Sequence, residues 1–336
     1  MPGRLCKISK RRKNSVFTNK VKCDIILKII RGICDLKRKK AKRVEKGTKN
    51  KAKSAKIKTK NTWLKGKTVV ITGASGGIGF SITKILLEEY GAKVIGICRN
   101  EKKMLAALET VRVNKENFSY RLFDVRDDKK WEEFGAEITA SDSGADVLIN
   151  NAGFMLPFEK FEKITAKERD EIIDTDFRAN LVSTATLLPV LKKSSVPCIV
   201  NIASSSSMCA VVGESMYTAV KFATKGFTDA LRVEYKGKMS VVGIYPGFVK
   251  TDIMQRQKTD VSQNKLITSF MASVEKTGKK CVKAIVKRKK TVPLGIDGKF
   301  MCFFGRLFPN FTASVIAGVL KSSKQELFSD VFDYKS

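Results

Sequence analysis

The stretch Thr68–Gly79, TVVITGASGGIG, decides the fold of this chain and indicates what it binds. Its first five residues are all β-branched and predict a short buried strand, and the glycines that follow predict a tight turn into a helix. Such a turn suits a pyrophosphate, because glycines permit close approach and the free N–H groups of a helix N-terminus attract an anion. The glycine spacing is G-x-x-x-G-x-G rather than the commoner G-x-G-x-x-G, so a plain tight connection stays open for the turn taken alone. The cofactor-binding residues expected here are Gly73, Ser75, Gly76, Gly77, Ile78 and Gly79.

Strand and helix patterns alternate after this turn. Strands are predicted at Thr68–Thr72, Lys93–Ile97, Tyr120–Phe123, Val147–Ile149, Ile199–Ile202 and Val241–Ile244. Helices are predicted at Ile78–Tyr90, Glu101–Val111, Lys129–Ile138, Asp174–Lys193 and Met216–Tyr235. This alternation predicts an α/β fold in which a doubly wound parallel sheet is covered by helices on both faces. Ligands bind such sheets at the carboxyl ends of the strands, which is where the motifs of this sequence cluster.

The composition excludes several kinds of catalytic site. The chain has 336 residues and no histidine, which excludes Ser-His-Asp triads, Cys-His pairs and histidine-bound zinc. Its eight cysteines form no C-x-x-C pair and suit free thiols in a reducing compartment, so no metal site is expected. The sequence shows no run of about 18 apolar residues and no secretory signal pattern. We therefore expect a cytoplasmic globular protein whose acid–base chemistry depends on Tyr, Lys, Cys or carboxylates.

The excess of positive charge is concentrated near the N-terminus. The chain carries 65 Lys+Arg and 33 Asp+Glu, and residues 1–61 alone hold a net charge of +20. We predict that this segment is a largely disordered basic extension and that residues 62–336 form one domain. An amphipathic helix is predicted over 21–36 within the extension. It could lie peripherally on an anionic membrane, whereas nucleic-acid binding is disfavoured and a solvated tail, or packing on its own domain, stays open.

Residues that follow the second, third and fourth strands indicate which dinucleotide is bound. Arg99 follows the second strand, where a carboxylate would accept a ribose hydroxyl and repel a 2′-phosphate. Its guanidinium suits a phosphate instead, so NADP(H) is favoured over NAD(H), although a surface arginine without a ligand stays open. Asp124 ends the third strand, near the expected place of the adenine amino group. Asn151, Ala152 and Gly153 follow the fourth strand and are further candidate cofactor contacts.

Five motifs in order resemble the short-chain dehydrogenase/reductase family. They are T-G-x-x-x-G-x-G at 72–79, N-N-A-G at 150–153, Ser204, Y-x-x-x-K at 217–221 and PGFVKT at 246–251. Tyr217 and Lys221 stand at i and i+4, so a helix places both on one face. The agreement covers about residues 63–250, and the resemblance implies a Rossmann-type fold in a single domain.

The resemblance also implies roles for the residues in these motifs. Tyr217 would exchange a proton with the carbonyl or alcohol oxygen, and Ser204 would hydrogen-bond the same oxygen. Lys221 would lower the pKa of Tyr217, and both side chains would contact the cofactor. Further cofactor contacts are implied for Pro246, Gly247, Val249 and Thr251.

One position departs from the family pattern. Where the family usually has Asn, in the helix before Ser204, this sequence has Asp176. The carboxylate loses the amide donor and adds a negative charge that could pair with Lys221. We expect a working enzyme with altered pH dependence, while reduced or lost activity and a tolerated substitution both stay open.

The C-terminal part indicates the substrate class. Residues 252–320 are predicted to cover the substrate. The apolar Phe300–Leu320 could roof a pocket, cover a dimer interface or rest on a membrane, and packing in the core or at an interface is favoured. This tail resembles the extensions of hydroxysteroid dehydrogenases and 3-oxoacyl reductases, which implies a lipophilic ketone or aldehyde. The resemblance also implies a homodimer or homotetramer built on the helices around Asp174–Lys193 and Met216–Tyr235. An alternative is a nucleotide-binding regulatory or scaffold protein with weak catalysis.

Overall fold

The computed structural model describes residues 62–141, 144–261 and 265–332. The predicted basic extension 1–61, with its candidate helix at 21–36, lies outside the described residues. Among the described residues, no helix is both long and apolar enough to cross a membrane.

A seven-stranded sheet forms the centre of the protein. Its strands are β1 (Thr68–Thr72), β2 (Lys93–Cys98), β3 (Phe118–Leu122), β4 (Val147–Asn150), β5 (Cys198–Ile202), β6 (Ser240–Pro246) and β7 (Thr291–Leu294). All neighbouring strands run parallel, in the order β3-β2-β1-β4-β5-β6-β7. Strands β2 and β3 are added on one side of β1, and the chain then crosses to the other side to form β4 to β7. The carboxyl ends of β1 and β4 therefore open a crevice in which a ligand can bind.

Helices cover both faces of the sheet. They are α1 (Gly77–Ile85), α2 (Glu101–Glu109), α3 (Asp128–Ala140), α4 (Ala166–Ile173), α5 (Ala179–Leu191), α6 (Ser215–Glu234), α7 (Lys265–Phe270), α8 (Val274–Val286), α9 (Ile296–Leu307) and α10 (Pro309–Ser322). One apolar core lies between the sheet and α1 and α8, and a second lies under α3, α5 and α6. The predicted doubly wound parallel sheet in a single domain is therefore confirmed.

The helix predicted from Asp174 begins earlier than predicted. Helix α4 starts at Ala166 because Thr165 and Glu168 form a reciprocal capping box at its N-terminus. A π-helical turn over Asp174–Arg178 then joins α4 to α5. This turn places Asp176 at a widened point of the helix, and such turns are frequent at functional sites.

Two elements inside the predicted substrate-covering region 252–320 are instead part of the central sheet and of the helices that cover it. Helix α8 packs so closely on α1 that a Cβ at Gly278 would collide with Ser81 Oγ. Strand β7 pairs with β6 and extends the sheet by one strand. Both elements lie past the last family motif, where the sequence analysis makes no strand or helix prediction.

Helices α9 and α10 cover the carboxyl end of the sheet. A Cβ at Gly305 would collide with the backbone oxygen of Met208, so α9 approaches the turn after β5 very closely. This contact holds Phe300 and Phe304 over the cavity described below. Of the three roles that the sequence left open for Phe300–Leu320, the structure shows a roof over a pocket.

Candidate active site

The glycine-rich turn joins β1 to α1 and meets the loop that follows β4. Gly73 has φ +67°, and a Cβ there would lie 2.9 Å from Asn151 Nδ2. The Thr72 hydroxyl accepts hydrogen bonds from the backbone N–H groups of Asn151 (2.9 Å) and Ala152 (3.0 Å). Glycine is therefore required at 73, both for the left-handed backbone and for the close approach of the two loops.

A cavity of about 830 Å³ opens where these loops meet. Most of the predicted site residues line it: Gly73, Ser75, Gly76, Gly77, Ile78, Arg99, Asn151, Ala152, Gly153, Ser204, Tyr217, Lys221, Pro246, Gly247, Val249 and Thr251. Gly79, Asp124 and Asp176 do not line it. A Cβ at Gly79 would collide with the backbone oxygen of Gly73, so this glycine shapes the turn instead.

Arg99 and Asp124 lie together at the rim. The Arg99 guanidinium is 60% exposed and lies 3.3 Å from the Asp124 carboxylate. Burial by itself would raise the pKa of Asp124, but hydrogen bonds from Arg126 outweigh it and lower the pKa to about 2. Asp124 therefore contacts two arginines, and the more exposed of them, Arg99, also lines the cavity.

Lys103 is a lining residue that the sequence analysis missed. A Cβ at Gly76 would lie 3.0 Å from Lys103 Cε, so the lysine stem lies over the glycine-rich turn. Its Nζ forms an ion pair with Asp252 at 2.6 Å. The cap of α2 supplied a signal, because Asn100 accepts a hydrogen bond from the Lys103 backbone N–H and thereby fixes the first turn beside the site.

Ser204, Tyr217 and Lys221 come together at the cavity wall. Ser204 follows β5, and its hydroxyl accepts a hydrogen bond from the Ser206 backbone N–H at 3.1 Å. Tyr217 and Lys221 lie one turn apart on α6, and Lys221 Nζ is 5.3 Å from the centroid of the Tyr217 ring. All three side chains are buried, so their charges and hydrogen bonds act with little screening by water.

Asp176 forms a fully buried ion pair with Lys221. Its Oδ2 lies 2.8 Å from Lys221 Nζ, and its Oδ1 accepts a hydrogen bond from the Phe154 backbone N–H at 2.9 Å. A Cβ at Gly153 would lie 2.8 Å from the same Oδ2, so the glycine makes room for the carboxylate. Because Asp176 is behind Lys221 and away from the cavity, it acts on the site through the lysine.

The pKa of Tyr217 is raised above its ordinary value. Burial is the largest cause, and the Asp176 and Glu214 carboxylates add to it. Lys221 acts in the expected direction and lowers the pKa, as does hydrogen bonding to Ser204, but neither outweighs burial. Burial alone would lower the pKa of Lys221, yet the attraction of Asp176 raises it, so the lysine stays charged at neutral pH.

Glu214 is a second cavity residue that the sequence analysis missed. It precedes Tyr217 by one helical turn, and only 6% of its surface is exposed. Burial raises its pKa to about 7, against the opposing effect of a hydrogen bond from the Ser206 hydroxyl. An acidic residue so close to Tyr217 was a visible signal, but its burial could not be inferred from spacing alone.

Comparisons with known proteins show which family the chain belongs to. A sequence model of the short chain dehydrogenase family matches residues 67–262. The NADPH-dependent pterin aldehyde reductase of Arabidopsis thaliana is 27% identical over 194 residues, which cover 58% of this chain and 79% of that protein.

Solved structures show the same fold. The short-chain dehydrogenase from Sphingobium yanoikuyae in complex with NADPH has a TM-score of 0.62 at 20% identity and covers 77% of this chain and 97% of its own. The 3-ketoacyl-(acyl-carrier-protein) reductase from Brucella melitensis complexed with NADH also has a TM-score of 0.62 at 20% identity, over 69% and 98%. With the family match spanning more than half of the sequence, the chain belongs to the short-chain dehydrogenase family of oxidoreductases.

Proposed function

We propose that the protein is an NADP(H)-dependent carbonyl reductase or alcohol dehydrogenase that acts on a lipophilic ketone or aldehyde. The observation that carries the proposal is the convergence of Ser204, Tyr217 and Lys221 on one cavity that also receives the glycine-rich turn. A purely nucleotide-binding protein would need the turn but not these three side chains.

The residues present fit a nicotinamide dinucleotide phosphate. Gly73 and Gly76 line the cavity beside the N-terminus of α1, where a pyrophosphate is favoured. Arg99 and Lys103 would hold the 2′-phosphate, since both cations lie at the rim near this turn. When bound, the cofactor supplies or accepts the hydride. The NADPH-dependent Arabidopsis relative supports the same preference.

The chain's own residues would manage the proton. The Tyr217 hydroxyl would donate its proton to the carbonyl oxygen during reduction, or accept one from the alcohol in the reverse direction. The Ser204 hydroxyl would hydrogen-bond the same oxygen and orient it. Lys221, held by Asp176, would stabilise the tyrosinate that forms when the proton leaves.

The wall of the cavity supports a lipophilic substrate. Apolar side chains from the β4 loop, α9 and α10 dominate it, among them Met155, Phe158, Phe300, Phe304 and Val315. A substrate with a large apolar body would displace water from these surfaces, which favours binding by about 25 cal/mol per Å² buried.

Turnover of NADPH with a panel of ketones and aldehydes, from small polar to steroid-sized, tests the proposal. We expect turnover that prefers NADPH over NADH and that Tyr217→Phe lowers by about 10²- to 10⁴-fold. Tyr235→Phe, the same change at the far end of α6, serves as the control and should leave turnover unchanged. NADPH binding without turnover of any carbonyl compound would contradict the proposal and favour the regulatory alternative.

We also propose that the protein forms a homodimer or homotetramer through the helices α4 to α6. Ile173 is 40% exposed, and on α6 Phe222 and Val233 are 44% and 76% exposed, so these helices present apolar side chains to the surface. Light scattering after gel filtration gives the mass directly. The double substitution Phe222→Glu with Val233→Glu is expected to lower the measured mass to that of one chain. A wild-type protein with the mass of one chain would contradict the proposal.

A further inference from the structure

Glu214 is buried at the cavity, and its carboxylate is not needed by the helix that it precedes. It is the residue before α6, and its backbone is satisfied: its N–H donates to Val211 O (3.2 Å), and its carbonyl accepts from Thr218 N–H (2.7 Å). The side chain does not cap the helix. Gln or a small apolar residue would therefore serve the helix equally well.

No cation compensates the carboxylate within the part of the chain that the structure describes. No lysine or arginine forms an ion pair with Glu214 there, and one hydrogen bond reaches it, from Ser206 Oγ to Oε2 at 2.9 Å. Burying an unpaired carboxylate is costly, and such groups are concentrated at functional sites. The contrast with Glu159 is direct, because that equally buried glutamate is paired with Lys258 at 3.3 Å and does not line the cavity.

The Glu214 carboxylate lies close to Ser204, whose hydroxyl would hydrogen-bond the reacting oxygen of the substrate. Ser206 connects the two: its hydroxyl donates to Glu214, and its backbone N–H donates to the hydroxyl of Ser204. The surrounding wall is apolar and includes Phe158 and Val211. An acceptor in such a wall selects a ligand that brings a hydrogen-bond donor to the same place.

We propose that Glu214 binds a hydroxyl or amino group that the carbonyl substrate carries next to its reacting carbon. The inference rests on the proposed function and narrows its substrate class to lipophilic hydroxy- or amino-carbonyl compounds. Glu214 sets specificity through this hydrogen bond and does not exchange protons with Tyr217.

Three matched probes test this with the full chain: 4-phenyl-2-butanone, its 1-hydroxy derivative and its 1-amino derivative. At about pH 8.5, above the pKa of about 7 that burial gives Glu214, its carboxylate is charged. Hydrogen bonds to a charged group contribute enough that Glu214→Leu should then lower kcat/KM for the hydroxyketone by about ten- to a hundredfold. The loss is measured as the ratio of kcat/KM values for the hydroxyketone and the parent ketone, because the parent ketone makes no such bond, whereas the effect of Glu214 on the pKa of Tyr217 acts on both substrates alike.

Glu214→Gln distinguishes the two donors. The amide oxygen still accepts a hydrogen bond from a hydroxyl but no longer attracts an ammonium group. Relative to the parent ketone, kcat/KM for the hydroxyketone should therefore change little in this variant, whereas kcat/KM for the aminoketone should fall. Glu159→Gln, the same change outside the cavity, should leave the kcat/KM values of the three probes unchanged relative to one another. Thermal unfolding of each variant separates these effects from loss of the fold.

Two results would overturn the proposal. An equal loss of kcat/KM for all three probes in a folded Glu214→Leu protein would indicate a general role in proton transfer or in shaping the site. If the wild type turns over none of the probes, the proposed function fails separately, and calorimetric binding of the same probes still decides the role of Glu214. If wild type and Glu214→Leu bind each probe with equal affinity, or if neither binds any probe, the proposed role of Glu214 is rejected.

Discussion

Asp176→Asn removes the buried charge that opposes Lys221 at the tyrosine. Lys221 Nζ lies 5.3 Å from the Tyr217 ring centroid, and an effective dielectric of about 20 makes its effect on the tyrosinate about 3 kcal/mol. The Asp176 carboxylate lies 2.8 Å from that Nζ, hence no more than about 8 Å from the ring, and opposes it by about 2 kcal/mol. The aspartate therefore cancels much of the help that the lysine gives.

At a pH at which Lys221 keeps its charge without Asp176, the substitution should lower the pKa of Tyr217, because a negative neighbour that raises it is gone. Alcohol oxidation at neutral pH, which needs the tyrosinate, should rise by roughly ten- to thirtyfold. Carbonyl reduction, which needs the protonated tyrosine, should decline at a lower pH than in the wild type. Profiles of kcat/KM against pH in both directions measure both effects.

Asp146→Asn is the matched control for this substitution. Asp146 is also largely buried and lies 3.5 Å from Lys67 Nζ, but it is outside the cavity. Its loss should change thermal stability and leave the pH profiles in place. Superimposable profiles for Asp176→Asn and wild type would refute the reasoning, and so would a folded Asp176→Asn protein that is inactive at every pH.

Three further predictions follow from the described contacts. Arg99→Ala with Lys103→Ala should reduce the preference for NADPH over NADH by at least about tenfold, measured as the ratio of kcat/KM values, since two cations leave the rim; an unchanged ratio would place the 2′-phosphate elsewhere. Arg126→Ala should lower the free energy of unfolding near pH 7 by at most about 2 kcal/mol, because the pKa of Asp124 is about 2 only in the folded protein. This stability is present above the ordinary pKa of the carboxyl and is lost as the pH falls towards 2, so urea unfolding of wild type and variant should converge in acid. Gly305→Ala should push α9 away from the turn beneath it and lower kcat/KM for the largest ketones most; equal effects on small ketones would contradict a roof made by α9.

Most strands could be predicted because they are short apolar runs rich in β-branched residues, whereas β3 (FSYRL) has none and its start was predicted two residues late. β1 agrees at both ends, and β4 and β5 differ from the prediction by one residue at one end. The start of α4 was missed because its first turn is polar, so a capping box and not apolar periodicity begins the helix. Strand β7 was missed because it contains Pro293 and lies at the edge of the sheet, where proline is tolerated.

In the candidate site too, some contacts could be predicted from the sequence and others depend on the folded chain. Spacing within one helix places Tyr217 and Lys221 together, so the sequence predicts that contact. The charge environment of Tyr217 also depends on two acids: Asp176, which tertiary packing brings from a π-helical turn, and Glu214, which is close in sequence but is buried only in the folded protein. Only the folded chain shows that both are buried, and burial makes their charges effective.

The two carboxylates bear on the direction of the proposed reaction. A tyrosine must keep its proton at neutral pH to act as an acid towards a carbonyl oxygen, and must lose it to act as a base towards an alcohol. Burial, Asp176 and Glu214 all raise the pKa of Tyr217, and together they outweigh Lys221. The protonated tyrosine is the form that can donate a proton to a carbonyl oxygen. Lys221, kept charged by Asp176, remains in place to stabilise the tyrosinate as the proton leaves, so the same aspartate that favours the acid form also holds the cation that the proton transfer requires.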